Sequence, residues 1–123
     1  MRITIFLTAA VALCAGATAA NAKTAFQINS TTWTYVDHGK QVRESIDASG
    51  NYIENTIGGK HVDHGTAVMK GSKVCFTSAM DKKGPSCWTT RPVRIGQSML
   101  TRSDKGEKLR VRRVAYVALS MPK

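Results

Sequence analysis

The 123-residue chain carries 18 Lys and Arg against 8 Asp and Glu, a formal net charge of +10, with 42% hydrophobic residues and 3 cysteines. That length excludes a multidomain enzyme and leaves room for one modest core. The basic excess points to solubility and to anionic rather than cationic surfaces as partners.

In chain order, the first 22 residues, MRITIFLTAAVALCAGATAANA, combine an early Arg2, an apolar run from Ile3 to Ala17 and the small-residue ending Ala20-Asn21-Ala22. This is the pattern of a cleaved secretory signal peptide. The run is short for a bilayer, so no transmembrane segment is expected. Lipidation at Cys14 is disfavoured because Leu13 stands where a small residue is wanted. Cleavage before Lys23 leaves residues 23–123, one β domain that is periplasmic or secreted. Asn29-Ser30-Thr31 fits a glycosylation acceptor, which matters only in a eukaryotic source, and the Ala-rich leader reads as bacterial.

Eight short runs follow: TTWTYV, QVRESI, NYIENTI, HVDHGTAVM, SKVCFTS, SCWTTR, QSMLTR and EKLRVRRVAYVAL. Period two recurs in them, and no segment keeps a helical apolar period for three turns. Between the runs lie DHGK, DASG, GGK, KG, AMDKKGP, PVRIG and SDKG, which suit tight turns. An all-β antiparallel meander is expected, closed as a small barrel or folded as a sandwich.

Alternation assigns faces: Trp33 with Tyr35, Val42 with Glu44 and Ile46, and Val74 with Phe76. Glu44 spoils its face, which suggests a bulge or a barrel rim. VAYVAL is apolar on both faces, as in a strand covered on both sides, and Arg113 breaks the alternation before it, which predicts a bulge there.

Cys75 and Cys87 remain after cleavage and form a disulfide in an oxidising compartment. Closing so short a loop contributes about 3 kcal/mol. If AMDKKGP is a hairpin, the bond locks its register and leaves Phe76 and Trp88 paired on the other face.

The string VDHG occurs twice and supplies the metal and catalytic candidates Asp37, His38, His61, Asp63 and His64. The first copy suits a hairpin turn with Gly39 left-handed, and the second lies inside a strand, with Gly65 at a bulge or a close backbone approach. On a regular strand His61 and Asp63 point one way and His64 the other, so the three cannot share an ion. No duplicated unit is supported, no cofactor is implied and no metal ligand is assigned. There is no G-x-S-x-G elbow, no phosphate-binding glycine loop and no evident acidic pair in sequence, so no catalytic residue is assigned.

Residues 91–123 hold 9 basic and 2 acidic side chains. Arg91, Arg94, Arg102, Lys105, Lys108, Arg110, Arg112 and Arg113 form a candidate anion-binding stripe. Export makes an anionic envelope component or an acidic protein a better partner than nucleic acid. The bland reading is that these charges keep the protein soluble and guard edge strands.

The order TWTYVDHGKQVRESIDASGNY, then HGTAVMKGSKVCFTSA, then SCWTT resembles small exported bacterial proteins of unassigned function that carry a G-K-x-C-aromatic and a C-aromatic pattern. The resemblance covers Thr31 to Thr90 and its motifs are structural. Where such proteins often have Gly-Thr-Trp, Gly65-Thr66-Ala67 stands here. The expected function is therefore a non-enzymatic, exported binding or envelope-associated module that meets an anionic surface through the stripe. A small β-barrel inhibitor using the AMDKKGP loop is the alternative, and a metal-dependent enzyme using His38, His61 and His64 the third reading.

Overall fold

Period-two alternation between Gly- and Asn-rich breaks resolves into eight strands: β1 (Thr31–Asp37), β2 (Lys40–Ile46), β3 (Asn51–Thr56), β4 (His61–Lys70), β5 (Lys73–Ser78), β6 (Ser86–Thr89), β7 (Ser98–Arg102) and β8 (Lys108–Val114). The structure is a computed structural model that describes residues 26–121. The expected signal peptide and its cleavage point lie outside the described residues. Among those described there is no helix, and so none long and apolar enough to cross a membrane.

All pairing is antiparallel, in the order β6-β5-β4-β3-β2-β1-β8-β7, so the consecutive strands β6 and β7 form the two ends of the sheet. The two ends of that sheet also meet. Trp88 bridges Ser103, the Asp104 amide donates to the Cys87 carbonyl at 2.9 Å, and the Arg102 amide donates to Thr89 Oγ1 at 3.0 Å. The result is a nearly closed up-and-down barrel, a size that leaves an interior just wide enough for side chains or one small ligand.

Turn chemistry sets the register. His38 and Gly39 form the two-residue β1–β2 loop with φ of 49° and 75°, a type I′ turn that keeps Asp37 opposite Lys40. Cys75 lies directly opposite Cys87 and the two are bonded. Phe76 and Trp88 share the face opposite the cysteines but sit diagonally, because Val74 opposes Trp88 and Ser86 opposes Phe76.

One end of the barrel is filled. Ile28, Trp33, Ile46, Val93, Met99 and Val111 are buried there as a contiguous apolar floor. Trp33 Nε1 donates to Thr31 Oγ1 at 2.8 Å, which satisfies the indole inside that floor.

Three local expectations change. VAYVAL is not a strand: β8 ends at Val114, and the following residues run across the outside of β1 to β3 as an irregular strap. The Val117 amide donates to Thr32 Oγ1 at 2.9 Å, and Asn55 Nδ2 donates to the Ser120 carbonyl at 3.4 Å. The strap leaves Thr32 with no exposed surface and Ser45 with 5%, while its own Tyr116 and Val117 stay 43% and 41% exposed, so the segment is not covered on both faces. Arg113 makes no bulge: β8 keeps a regular register from Lys108 to Val114, and Arg113 takes the inward side opposite Trp33. There its guanidinium donates to the Val93 carbonyl at 2.9 Å and secures the floor.

The third change concerns the second VDHG. Glu54 opposes Asp63 but Asn55 opposes His61, so Val62 is an extra residue in β4. That bulge reverses side-chain parity between His61 and Asp63. His61 and His64 therefore share the outer face while Asp63 points inward, contrary to the regular-strand expectation. His61 Nε2 lies 3.1 Å from His64 Nδ1, and His61 Nδ1 lies 2.8 Å from Asn55 Oδ1.

Gly65, expected at a bulge or a close approach, is the close approach. A Cβ there would fall on the Thr77 carbonyl oxygen of β5, well inside van der Waals contact, whereas one at Gly39 would meet nothing within 4 Å. Gly65→Ala is expected to lower the unfolding free energy by about 3 kcal/mol through this backbone clash. Gly39→Ala should lose only about 1 kcal/mol, the cost of a left-handed non-glycine residue. Urea denaturation of both variants checks the ranking.

Candidate ligand-binding site in the barrel interior

The upper half of the barrel is hollow. A cavity of about 310 Å³ extends from the apolar floor to the β1–β2, β5–β6 and β7–β8 loops, where Asp37, Asp81, Lys83, Lys105 and Glu107 form the mouth. Its wall is aromatic and acidic at once. Tyr35, Tyr52, Phe76 and Trp88 line it beside Glu44, Glu54 and Asp63.

Strand pairing places these carboxylates side by side. Glu44 on β2 opposes Glu54 on β3, which in turn opposes Asp63 on β4. Directly opposed residues on one face hold their Cβ atoms about 4.5–5.5 Å apart. Three acids on three adjacent strands therefore form a row across the wall.

Their environments differ. Asp63 is well satisfied: Tyr52 Oη donates to Oδ2 at 2.7 Å and Ser78 Oγ donates to Oδ1 at 2.6 Å. Tyr52 also packs edge-on against Phe76, with ring centroids 5.1 Å apart at 88°. Glu44 is only 8% exposed and accepts one bond, from Tyr35 Oη at 3.1 Å. No lysine or arginine forms an ion pair with any of the three among the described residues, where the single close carboxylate–imidazole contact is Asp37 with His38 at 3.0 Å.

Titration follows from this geometry. Burial pushes the Glu44 carboxyl up to about 8, the neighbouring Glu54 charge adds to the rise, and the Tyr35 bond opposes it. Burial likewise pushes Glu54 up to about 7, with Tyr35 opposing and the charges of Asp63 and Asp37 assisting. Tyr35 and Tyr52 are raised chiefly by burial, with the adjacent carboxylates adding to it. Two carboxyl groups inside the barrel thus hold their protons near neutral pH.

The sequence-derived candidates scatter by comparison. Arg102 opposes Lys108, Leu100 opposes Arg110 and Ser98 opposes Arg112, so four cations share the exposed outer face of β7 and β8, with Lys108 at the strand end where it also reaches the cavity mouth. Arg112 Nε also donates to the Gly96 carbonyl at 3.2 Å. Lys105 stands in the β7–β8 loop, Arg91 and Arg94 in the β6–β7 segment, and Arg113 faces inward. His38 projects from its turn with its side chain 92% exposed. Among the described residues no group of three His, Cys, Asp or Glu side chains is arranged to hold a metal ion.

The acidic row was missed because its members are far apart in sequence. A signal was present: reflecting the chain about the DASG turn sets Glu44 opposite Glu54. On the sequence alone Glu44 stands out only as a flaw in an apolar face. No protein family, curated protein or solved structure matches the chain.

The raised carboxyl groups fix a pH dependence. Between about pH 4.5 and 8 the folded protein retains the Glu44 proton that the unfolded chain has lost, so stability from this group is full at the acidic end and falls as pH rises. Glu44→Gln removes that fall. Chemical denaturation of both proteins from pH 5 to 8.5 should show the variant gaining steadily on the parent, with a difference that grows towards the alkaline end.

Proposed function

We propose that the protein is an exported, non-enzymatic binding module that holds a small ligand inside its barrel. One observation carries this reading: a cavity of about 310 Å³, open at one end, stands above a packed apolar floor. Pockets for small molecules begin near this volume and are mostly apolar with a few placed polar groups. An eight-stranded barrel without a ligand role needs only enough interior to be filled by its own side chains. Export rests on the leader-like first 22 residues, and the Cys75–Cys87 bond is in keeping with an oxidising compartment.

A second contact belongs to the same module. Arg102, Lys108, Arg110 and Arg112 share one outer face with Leu100, which is 48% exposed, and with Val36 and Ile57 beside them at 55% and 50%. Cations interleaved with exposed aliphatics suit docking on an anionic envelope component. The bland alternative is a solubilising face, and the two differ in salt dependence.

Two measurements test these contacts. A neutral, environment-sensitive dye should bind with a fluorescence rise, and Ser86→Phe, which fills the cavity beside Phe76, should weaken it at least tenfold. Unchanged dye binding in that variant would place the ligand elsewhere. On an anionic polysaccharide resin, Arg102→Gln/Lys108→Gln/Arg110→Gln should elute at clearly lower salt than the parent. Equal elution would leave the outer face with a solubilising role alone.

A further inference from the structure

Six of the eight Asp and Glu in the whole sequence line this one cavity: Asp37, Glu44, Glu54, Asp63, Asp81 and Glu107. The chain has 18 basic side chains to place, yet only Lys83, Lys105 and Lys108 reach the lining, all at the mouth. Below the mouth the wall carries carboxyl groups, aromatic rings, hydroxyls and aliphatic side chains, and no base. Charge has been segregated, with the bases outside and the acids inside.

A stabilising role does not account for that arrangement. Glu44 is 8% exposed, receives one hydrogen bond from Tyr35, and finds a second carboxyl, Glu54, across the pair. A buried acid kept only for the fold would be expected to meet a cation or several donors, as Asp63 meets Tyr52 and Ser78. Instead Glu44 and Glu54 border open cavity.

We infer that the ligand of the barrel is an organic cation, an ammonium group on an apolar body, with Glu44 and Glu54 as its counter-ions and the aromatic wall as its seat. This rests on the interior-binding reading. An ammonium has three donors, which suits two carboxylates side by side, and charge-assisted bonds inside a barrel are stronger than in water. Trp88 and Phe76 receive the apolar body, and the faces of Tyr35 and Tyr52 add attraction for the charge. Below the mouth an anionic ligand would meet the carboxyl groups of Glu44, Glu54 and Asp63 and no lysine or arginine.

Binding requires the two carboxyl groups to ionise. The free site holds protons near neutrality because of burial and because Glu44, Glu54, Asp63 and Asp37 crowd one another. Lys83, Lys105 and Lys108 line the same cavity at its mouth without forming an ion pair with either carboxyl. The groups beside the pair in the wall are Trp33, Tyr35 and Asp37 from β1, Tyr52 from β3, Asp63 from β4 and Ser78 from β5. None of these wall groups carries a compensating positive charge. A bound cation supplies it and displaces protons to solvent, so affinity rises with pH between 6 and 8.

The test compares three isosteric probes on the purified protein by titration calorimetry: phenethylammonium, 2-phenylethanol and phenylacetate. The ammonium should bind at least tenfold more tightly than the alcohol at pH 8, release protons at pH 6.5, and outcompete the neutral dye, while phenylacetate shows no heat. Glu44→Gln/Glu54→Gln should erase the ammonium preference and leave alcohol and dye binding in place, which also shows that the variant is folded. Dye or alcohol binding without an ammonium preference, or a preference that survives in the double variant, overturns the cation assignment and spares the cavity reading. Failure of the dye and all three probes overturns both.

Discussion

Two adjacent strands hold Glu44 and Glu54 opposite one another inside the barrel, and neither is met by a lysine or arginine among the described residues. Much of the upper barrel is arranged around this juxtaposition. The two side chains cannot move apart without a change of register, because a slip of one residue would turn every side chain on the strand to the other face. The register is held by the turn that joins the two strands, where Asp47 Oδ1 accepts from the amides of Ser49 and Asn51 and the Asp47 amide donates to the Asn51 carbonyl at 2.8 Å. Separation by sliding is closed off, so the remaining response is chemical: the carboxyl groups keep their protons.

A neutral carboxyl group with a hydrogen bond is far cheaper to bury than a carboxylate, whose isolated transfer is prohibitive. The apolar floor supplies the stability that the polar half does not. Each fully buried aliphatic or aromatic side chain there contributes roughly 1.5–3 kcal/mol, and the floor gathers Trp33, Ile46, Met99 and Val111 at one end. The strap over β1 to β3 adds a second layer outside, covering Thr32, Ser45 and Asn55. Stability and ligand space are thus placed at different depths of one barrel. The hollow half need not be well packed, since the other half is.

Strand number, antiparallel pairing, the disulfide, the hairpin of the first VDHG and the strand placement of the second were legible in the sequence because each depends on local signals: period two, turn glycines and one cysteine pair. Features set by position in three dimensions were not. Val62 bears no mark of a bulge, so the pairing of His61 with His64 was hidden. VAYVAL has strand-like composition, yet β1 has neighbours on both sides, β2 and β8, and the segment lies over the sheet instead. Arg113 seemed to break a pattern that it keeps, because an inward arginine at the barrel floor can donate to a loop carbonyl. The acidic row needed three registers at once, and only a committed strand order supplies them.

The segregation of charge gives the two proposed contacts a common logic. A strongly basic exterior repels a free organic cation at long range, by an amount that salt screens within about 10 Å at 0.1 M. The mouth offers no net steering, since Asp37, Asp81 and Glu107 stand against Lys83, Lys105 and Lys108. Selectivity must therefore arise below the mouth, at Glu44 and Glu54. An anionic surface changes the balance in two ways. It neutralises the outer cations of β7 and β8, which lowers the repulsion, and it concentrates cationic solutes in its own counter-ion layer. Docked there, the barrel would sample its ligand where that ligand accumulates, so the basic face and the acidic cavity are better understood as two halves of one arrangement than as rival sites.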